Sequence, residues 1–75
     1  MSDDVKYEVV ERLGVISTSS KDWTTELRLV SWNGRDAKYD IRSWSPDGTK
    51  MGKGITLTTE ELKHLGALIN ELQLD

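Results

Sequence analysis

A chain of 75 residues forms one domain at most, and a domain of that size has a marginal core unless a disulfide, a metal or a partner chain supports it. The absence of cysteine excludes disulfides and thiolate zinc sites, and one histidine cannot build a histidine-rich metal site. The formal net charge of −3 argues at first against a nucleic-acid partner. Unusually good packing or oligomerisation remains as a source of stability, and of these we expect a homodimer.

The charge is not spread evenly along the chain. Residues 20–54 carry seven Lys or Arg against five Asp or Glu, a net charge of +2, whereas both flanking segments are acidic. All three tryptophans, Trp23, Trp32 and Trp44, lie in this mildly basic middle. The acidic N-terminus lacks the apolar region of a secretory signal, and no apolar run approaches the length of a membrane span. We therefore expect a cytoplasmic protein without a membrane partner.

Four segments have the alternating pattern of half-buried β-strands, at residues 6–19, 23–32, 37–44 and about 54–57. Gly14 interrupts the first segment and predicts a bulge or a sharp bend there. An Asn-Gly pair at 33–34 and a Ser-Pro-Asp-Gly turn at 45–48 separate the later segments. The pattern predicts a four-stranded antiparallel sheet.

The register of the central hairpin follows from the apolar residues that must share one face: Leu27, Leu29, Tyr39 and Ile41. All four are odd-numbered, so directly paired residues must sum to an even number. A two-residue Asn33-Gly34 loop gives an odd sum and is rejected, whereas loops of three or five residues keep the parity. The outer face then pairs opposite charges and one tryptophan across the strands: Arg28 with Asp40, Glu26 with Arg42, and Thr24 with Trp44.

A helix follows the sheet. Thr58 and Glu61 form a capping box, from which the helix continues to about residue 72. Gly66 costs about 1 kcal/mol relative to alanine and suits a close helix crossing. The expected fold is α+β, a single ββββα domain over residues 1–75 that pairs into a symmetric homodimer. One apolar stripe of the helix is expected to serve the core and the dimer contact: Leu62, Leu65, Leu68, Ile69 and Leu72.

The tryptophans carry the strongest functional signal. Trp32 and Trp44 fall on the predicted outer face, where a large aromatic ring needs a cover or a ligand. Proteins that bind single strands use such rings to stack bases, while basic groups follow the phosphates. The alternative is that both rings cover a dimer seam or the helix. Trp23 shares the parity of the leucines, which favours a core position.

Catalysis is not expected, because there is no cysteine nucleophile and His64 has no visible partner that would orient it as a general base. The segment Gly52-Lys53-Gly54 lacks the spacing of a P-loop. It is predicted to be either a flexible turn or a basic edge beside a nucleic-acid backbone. No cofactor and no metal are expected.

Several motifs occur in a fixed order: Tyr-Asp-Ile-Arg-Ser-Trp at 39–44, Pro-Asp-Gly at 46–48, Lys-Gly-Ile-Thr-Leu-Thr at 53–58, and then the leucine-striped helix. Together they resemble the transcriptional coactivator family of positive cofactor four, in particular its compact bacterial YdbC-like members. The resemblance covers roughly residues 23–72. It implies a four-stranded antiparallel sheet with a C-terminal helix, a symmetric homodimer, and a function in transcription or DNA maintenance.

The resemblance also implies sequence-tolerant binding of single-stranded DNA, with RNA as an alternative ligand. Its motifs place an aromatic residue at Trp32 and Trp44 and a basic residue at Arg35, Arg42 and Lys53. Further basic side chains of the middle segment are expected along the phosphates: Lys21, Arg28 and Lys38. Asn33 and Gly52 stand where the family has basic residues, which implies weaker phosphate contact and a shallower salt dependence.

A second hypothesis comes from a different class of function. The acidic net charge favours a dimeric protein-interaction module without nucleic-acid affinity, whose exposed aromatic residues bind a peptide or a polymerase surface.

Overall fold

The computed structural model of the protein describes residues 6–74. Four antiparallel strands are hydrogen-bonded in the order β1-β2-β3-β4, and one helix follows them: β1 (Tyr7–Thr18), β2 (Thr24–Trp32), β3 (Lys38–Trp44), β4 (Met51–Leu57) and α1 (Thr59–Leu72). The expected ββββα order is therefore confirmed. The N-terminal segment that we expected not to be a secretory signal lies outside the described residues. Within 6–74, α1 is too short and too polar to cross a membrane.

The β2–β3 hairpin has the expected register, with Leu29 opposite Tyr39 and Arg28 opposite Asp40. Asn33 and Gly34 both have positive φ, 54° and 75°, and the Arg35 amide donates to the Trp32 carbonyl at 3.0 Å. This is the geometry of a type I′ turn, which Asn-Gly favours. The β2–β3 ladder begins only at the pair of Val30 and Lys38. One more residue separates the turn from the ladder on the β3 side than on the β2 side, and this extra residue restores the even-sum pairing.

Strand β4 is longer than predicted, because it begins at Met51 and contains Gly52 and Gly54. The prediction of a flexible turn at 52–54 is therefore wrong. A β-carbon on Gly54 would lie 2.2 Å from Arg42 Cβ and 2.3 Å from the Ile41 carbonyl oxygen. The glycine thus permits a close approach of β4 to β3, which in sequence cannot be distinguished from a turn signal.

Strand β1 is bent. Its pairing with β2 shifts three times, once at the predicted position beside Gly14, and the shifts leave Val10, Leu13 and Ile16 without a partner. Each bulge changes the face of the following residues, so the alternation expected over residues 6–19 does not run unbroken along β1. Direct pairing places Tyr7 beside Trp32 and Arg12 beside Arg28.

The bend closes one face of the sheet. Tyr7 pairs with Trp32 at one end of β2, whereas Trp44 pairs with Thr24 at the other end. Thr24 and Trp32 are eight residues apart, which is about 26 Å in a flat strand. The rings of Tyr7 and Trp44 are nevertheless only 5.8 Å apart. Opposite ends of this face therefore fold towards each other.

Helix α1 begins with the predicted capping box, in which Thr58 and Glu61 exchange side-chain and backbone hydrogen bonds of 2.8 and 3.1 Å. The helix touches only β3 and β4 among the described elements, and none of its residues is buried. Leu62 and Leu65 are half-buried, whereas the second half of the predicted stripe is exposed: Leu68, Ile69 and Leu72. The buried hydrophobic residues within 6–74 are Val30 and Trp44 alone.

Candidate functional site

The even-numbered side chains of β2 and β3 share one face, which we call the polar-aromatic face: Thr24, Glu26, Arg28, Val30, Trp32, Lys38, Asp40, Arg42 and Trp44. We expected this face to point outwards, and for Trp44 that expectation is wrong because its side chain is only 1% exposed. Trp44 is buried because the bend brings Tyr7 over it and Arg28 covers its ring. Trp32 is half-buried.

Each arginine of this face is held by the acid two residues before it on the same strand. Arg28 Nε donates to Glu26 Oε1 at 2.8 Å, and Arg42 donates from Nε and Nη2 to both oxygens of Asp40 at 2.7 and 3.0 Å. The expected cross-strand ion pairs do not form among residues 6–74, although the residues are opposite each other as predicted. Residues i and i+2 of a strand also share a face, and an arginine is long enough to lean along it.

Glu26 lies at the centre of a larger network. Arg12 of β1 donates to both of its oxygens at 2.7 and 2.9 Å, and the hydroxyl of Thr24 donates to Oε2. Burial alone raises the pKa of Glu26, but the hydrogen bonds from Arg12, Arg28 and Thr24 outweigh it and lower that pKa to about 2. A carboxylate that is only 1% exposed is therefore ionised at neutral pH.

The same two arginines lie over the two tryptophans. Arg28 Cζ is 3.9 Å from the centre of the Trp44 ring, and Arg42 Cζ is 4.8 Å from that of Trp32. Such contacts contribute about 2 kcal/mol each when they are shielded from water. The side chains of Arg28 and Arg42 are 11% and 16% exposed, so a small part of each remains accessible to a ligand.

The face contains spare hydrogen-bond donors. Within the described part of the chain, the indole Nε1 atoms of Trp32 and Trp44 are buried without a partner. Arg28 uses only Nε, which leaves both terminal nitrogens without a hydrogen bond within 6–74. Asp40 is fully engaged, because it also accepts from the Thr56 hydroxyl at 2.9 Å.

The other predicted site residues are dispersed. Lys38 and Lys53 are exposed, on β3 and β4. Lys21 and Arg35 are exposed in the two loops that flank β2, and these loops lie at opposite ends of the sheet. Trp23, expected in the core, is half-buried just before β2. The structure therefore brings Arg28, Trp32, Arg42 and Trp44 together and leaves the remaining cations around them.

Two contributors were not predicted. Tyr7 reaches both tryptophans, and Arg12 completes the network around Glu26. The bulges of β1 place them there, and a parity argument cannot locate bulges. The repeated acid-x-Arg pattern at 26–28 and 40–42 is the signal that could have indicated same-strand pairs. Residues 6–74 contain no cluster of His, Cys, Asp and Glu side chains that could hold a metal ion.

The chain thus combines a ββββα fold with a sheet face on which two arginines stack on two tryptophans. The family described as Transcriptional Coactivator p15 (PC4) matches residues 19–68, which is more than half of the chain, and the protein therefore belongs to that family. An uncharacterized protein of Treponema pallidum (strain Nichols) is 53% identical over 75 residues, covering all of this chain and 88% of the relative. Family membership indicates nucleic-acid binding and a coactivator-like protein.

Proposed function

We propose that this protein is a non-enzymatic homodimer that binds single-stranded DNA through its polar-aromatic face with little sequence preference, with single-stranded RNA as the alternative ligand. The observation that carries the proposal is the pair of stacked layers, Arg28 on Trp44 and Arg42 on Trp32. Family membership supports the choice of nucleic acid as the ligand. Membership of the coactivator family supports a function in transcription or DNA maintenance.

The binding mechanism differs from simple stacking on tryptophan. Because Trp44 is covered, a base meets the guanidinium plane of Arg28 first, and guanidinium planes stack bases as aromatic rings do. Glu26 and Asp40 hold the two planes in fixed positions, so little side-chain entropy is lost on binding. The surrounding exposed cations bind phosphates: Lys21, Arg35, Lys38 and Lys53.

The electrostatic balance predicts a weak salt dependence. Glu26 and Asp40 neutralise Arg28 and Arg42 at short range, so these arginines displace few counterions from the strand. Phosphate binding is left to the four dispersed cations, and removing any one of them should reduce the salt slope by about one. Binding therefore depends more on stacking than on charge.

The experiment is a titration of oligo-thymidine into the protein, followed by tryptophan fluorescence at low and high salt, with duplex of equal length for comparison. We expect quenching by the single strand and much less by the duplex. Arg28→Lys keeps the charge but removes the stacking plane and should weaken binding about tenfold. Lys63→Gln, on the exposed helix, is the control and should bind normally. Absence of binding at low salt would reject the proposal.

The homodimer rests on the apolar side chains that the chain leaves exposed on β4 and α1. We call this set the helix-edge surface: Ile55, Leu68, Ile69 and Leu72, of which Leu68 and Leu72 are 60% and 63% exposed. Within residues 6–74 the buried hydrophobic residues are Val30 and Trp44, and a core of that size needs further apolar burial to be stable. A symmetric partner that presents the same surface supplies it.

Sedimentation equilibrium at micromolar concentration tests the dimer. We expect twice the chain mass of 8.5 kDa. Leu68→Asp should produce monomers, whereas Asn70→Asp introduces the same side chain at an exposed polar position and should leave the dimer intact. A wild-type species of 8.5 kDa would refute the dimer.

A further inference from the structure

A cleft of about 420 Å³ adjoins the polar-aromatic face at the end nearest the β3–β4 turn. Arg12 and Arg28 line one part of it, Asp22, Glu26 and Asp47 contribute carboxylates, and the turn of residues 45–48 closes it. A cleft of this volume lies in the range of small-molecule sites and accommodates a single nucleotide.

The charges of the lining argue against a phosphate. Two arginines face three carboxylates in the cleft, so an anion would meet a net negative lining. The hydrogen bonds that lower the pKa of Asp47 to about 2, from the backbone and hydroxyl of Thr49 and from Ser45, keep that carboxylate ionised at neutral pH. A neutral group with both donors and acceptors suits such a lining.

The spare hydrogen-bonding groups define the shape of that ligand. Arg28 is bonded only through Nε, so its two terminal nitrogens form a free donor pair within residues 6–74. Asp47 accepts its hydrogen bonds from Ser45 and Thr49 on Oδ1 alone, and the Asp22 carboxylate accepts none within the described residues. The lining of the cleft therefore includes the donor pair of Arg28 together with carboxylate oxygens of Asp22 and Asp47 that accept no hydrogen bond within the described residues.

We infer that this cleft binds one guanine base of the single strand held on the polar-aromatic face; the inference rests on the proposed function. Guanine presents two neighbouring acceptors, O6 and N7, which a guanidinium contacts through two parallel hydrogen bonds. Its N1–H and N2–H₂ groups are neighbouring donors that match a carboxylate. Adenine, cytosine and thymine lack this combination of paired acceptors and paired donors. The protein thus combines sequence-tolerant stacking with one position that prefers guanine.

The test compares thymidine oligonucleotides of about twelve nucleotides that carry one central guanine, adenine, cytosine or no substitution. Fluorescence anisotropy of end-labelled strands measures their affinities. We expect the guanine strand to bind about tenfold more tightly than the others. A single guanine avoids the four-stranded structures that guanine runs form.

Asp22→Asn tests whether the guanine preference arises in the cleft. Asp22 has φ of 65°, a left-handed conformation that asparagine adopts readily, so the variant should fold. We expect it to lose the guanine preference and to keep its affinity for plain oligo-thymidine. Asp36→Asn changes the net charge equally in the β2–β3 loop, at the opposite end of the sheet, and should keep the preference.

The outcomes separate the inference from the proposed function. Equal affinity for all four strands, or a guanine preference that survives in Asp22→Asn, overturns the cleft assignment and leaves single-strand binding intact. Failure to bind any of the strands overturns the proposed function and the inference together.

Discussion

The two sides of this molecule reverse the usual relation between polarity and burial. The polar-aromatic face contains two carboxylates and two arginines, yet Glu26 and Asp40 are buried. The helix-edge surface is made of leucine and isoleucine, yet all of its residues are exposed. Buried charges persist only when they are paired and hydrogen-bonded, and exposed apolar clusters usually mark an interface.

The two sides also differ in where their contacting groups lie. The bent sheet organises the polar-aromatic face within one chain, because Glu26 and Asp40 find their partners on β1, β2, β3 and β4. The helix-edge surface has no counterpart among the described residues. In the homodimer that we propose, the same surface of a second chain covers it.

The largest effect is expected when the aromatic centre of the buried face is removed. Trp44→Ala deletes a ring that contacts Tyr7 and Arg28, and it should lower the free energy of unfolding by about 4 kcal/mol. Urea denaturation at a fixed protein concentration measures the loss. Trp23→Ala, at a half-buried position before β2, is the comparison and should cost clearly less. Equal losses would contradict the burial contrast.

Glu26→Gln removes a negative charge from the polar-aromatic face without deleting a ring. The variant removes the anion that Arg12 and Arg28 share, and it should cost about 3 kcal/mol at pH 7. The measurement is again urea denaturation, now at several pH values.

The sign of the pH dependence follows from the lowered pKa of Glu26. Its stabilisation is complete above the unfolded value of 4.5 and disappears as the pH falls towards about 2. The difference in the free energy of unfolding between wild type and Glu26→Gln should therefore narrow as the pH falls from about 5 to about 2. Asp47 loses its own contribution in the same window in both proteins, because its pKa is also lowered to about 2. A gap that stays constant would disprove the ion-pair explanation.

The sequence predicted the order of the elements, the β2–β3 register and the capping box, because each depends on local patterns. Leu27 and Leu29 define a parity, and Thr58 with Glu61 define a helix start. The site required long-range geometry. The bulges of β1 bring Tyr7 and Arg12 onto the polar-aromatic face, and no periodicity encodes where a strand will skip a residue.

The assignment of inside and outside failed for a related reason. Alternation shows which residues share a face, but the curvature of the sheet decides which face is covered. Trp44 alternates with the leucines and is therefore expected outside, whereas the bend and the layer formed with Arg28 cover it. The guanidinium layers over Trp32 and Trp44 likewise depend on side-chain directions that a register does not specify.

Two glycine-to-alanine substitutions test the sheet and the helix separately, because one lies in β4 and the other on the exposed helix. Gly54→Ala introduces a β-carbon against the backbone of β3, at 2.3 Å from the Ile41 carbonyl oxygen. It should cost about 2 kcal/mol, since strand β4 must move away from Arg42. Denaturation measures the loss, and a neutral effect would contradict the close approach of the two strands.

Gly66→Ala should have the opposite sign and the smallest size. A β-carbon at Gly66 meets no atom within 4 Å, and alanine stabilises a helix interior by about 1 kcal/mol relative to glycine. Denaturation of dilute protein should show this gain, and sedimentation should show an unchanged dimer. Lower stability together with a weakened dimer would contradict the prediction and would place Gly66 at a close helix crossing. The sign of the change in stability caused by Gly66→Ala therefore shows whether a partner chain covers the helix face at Gly66 or leaves it open.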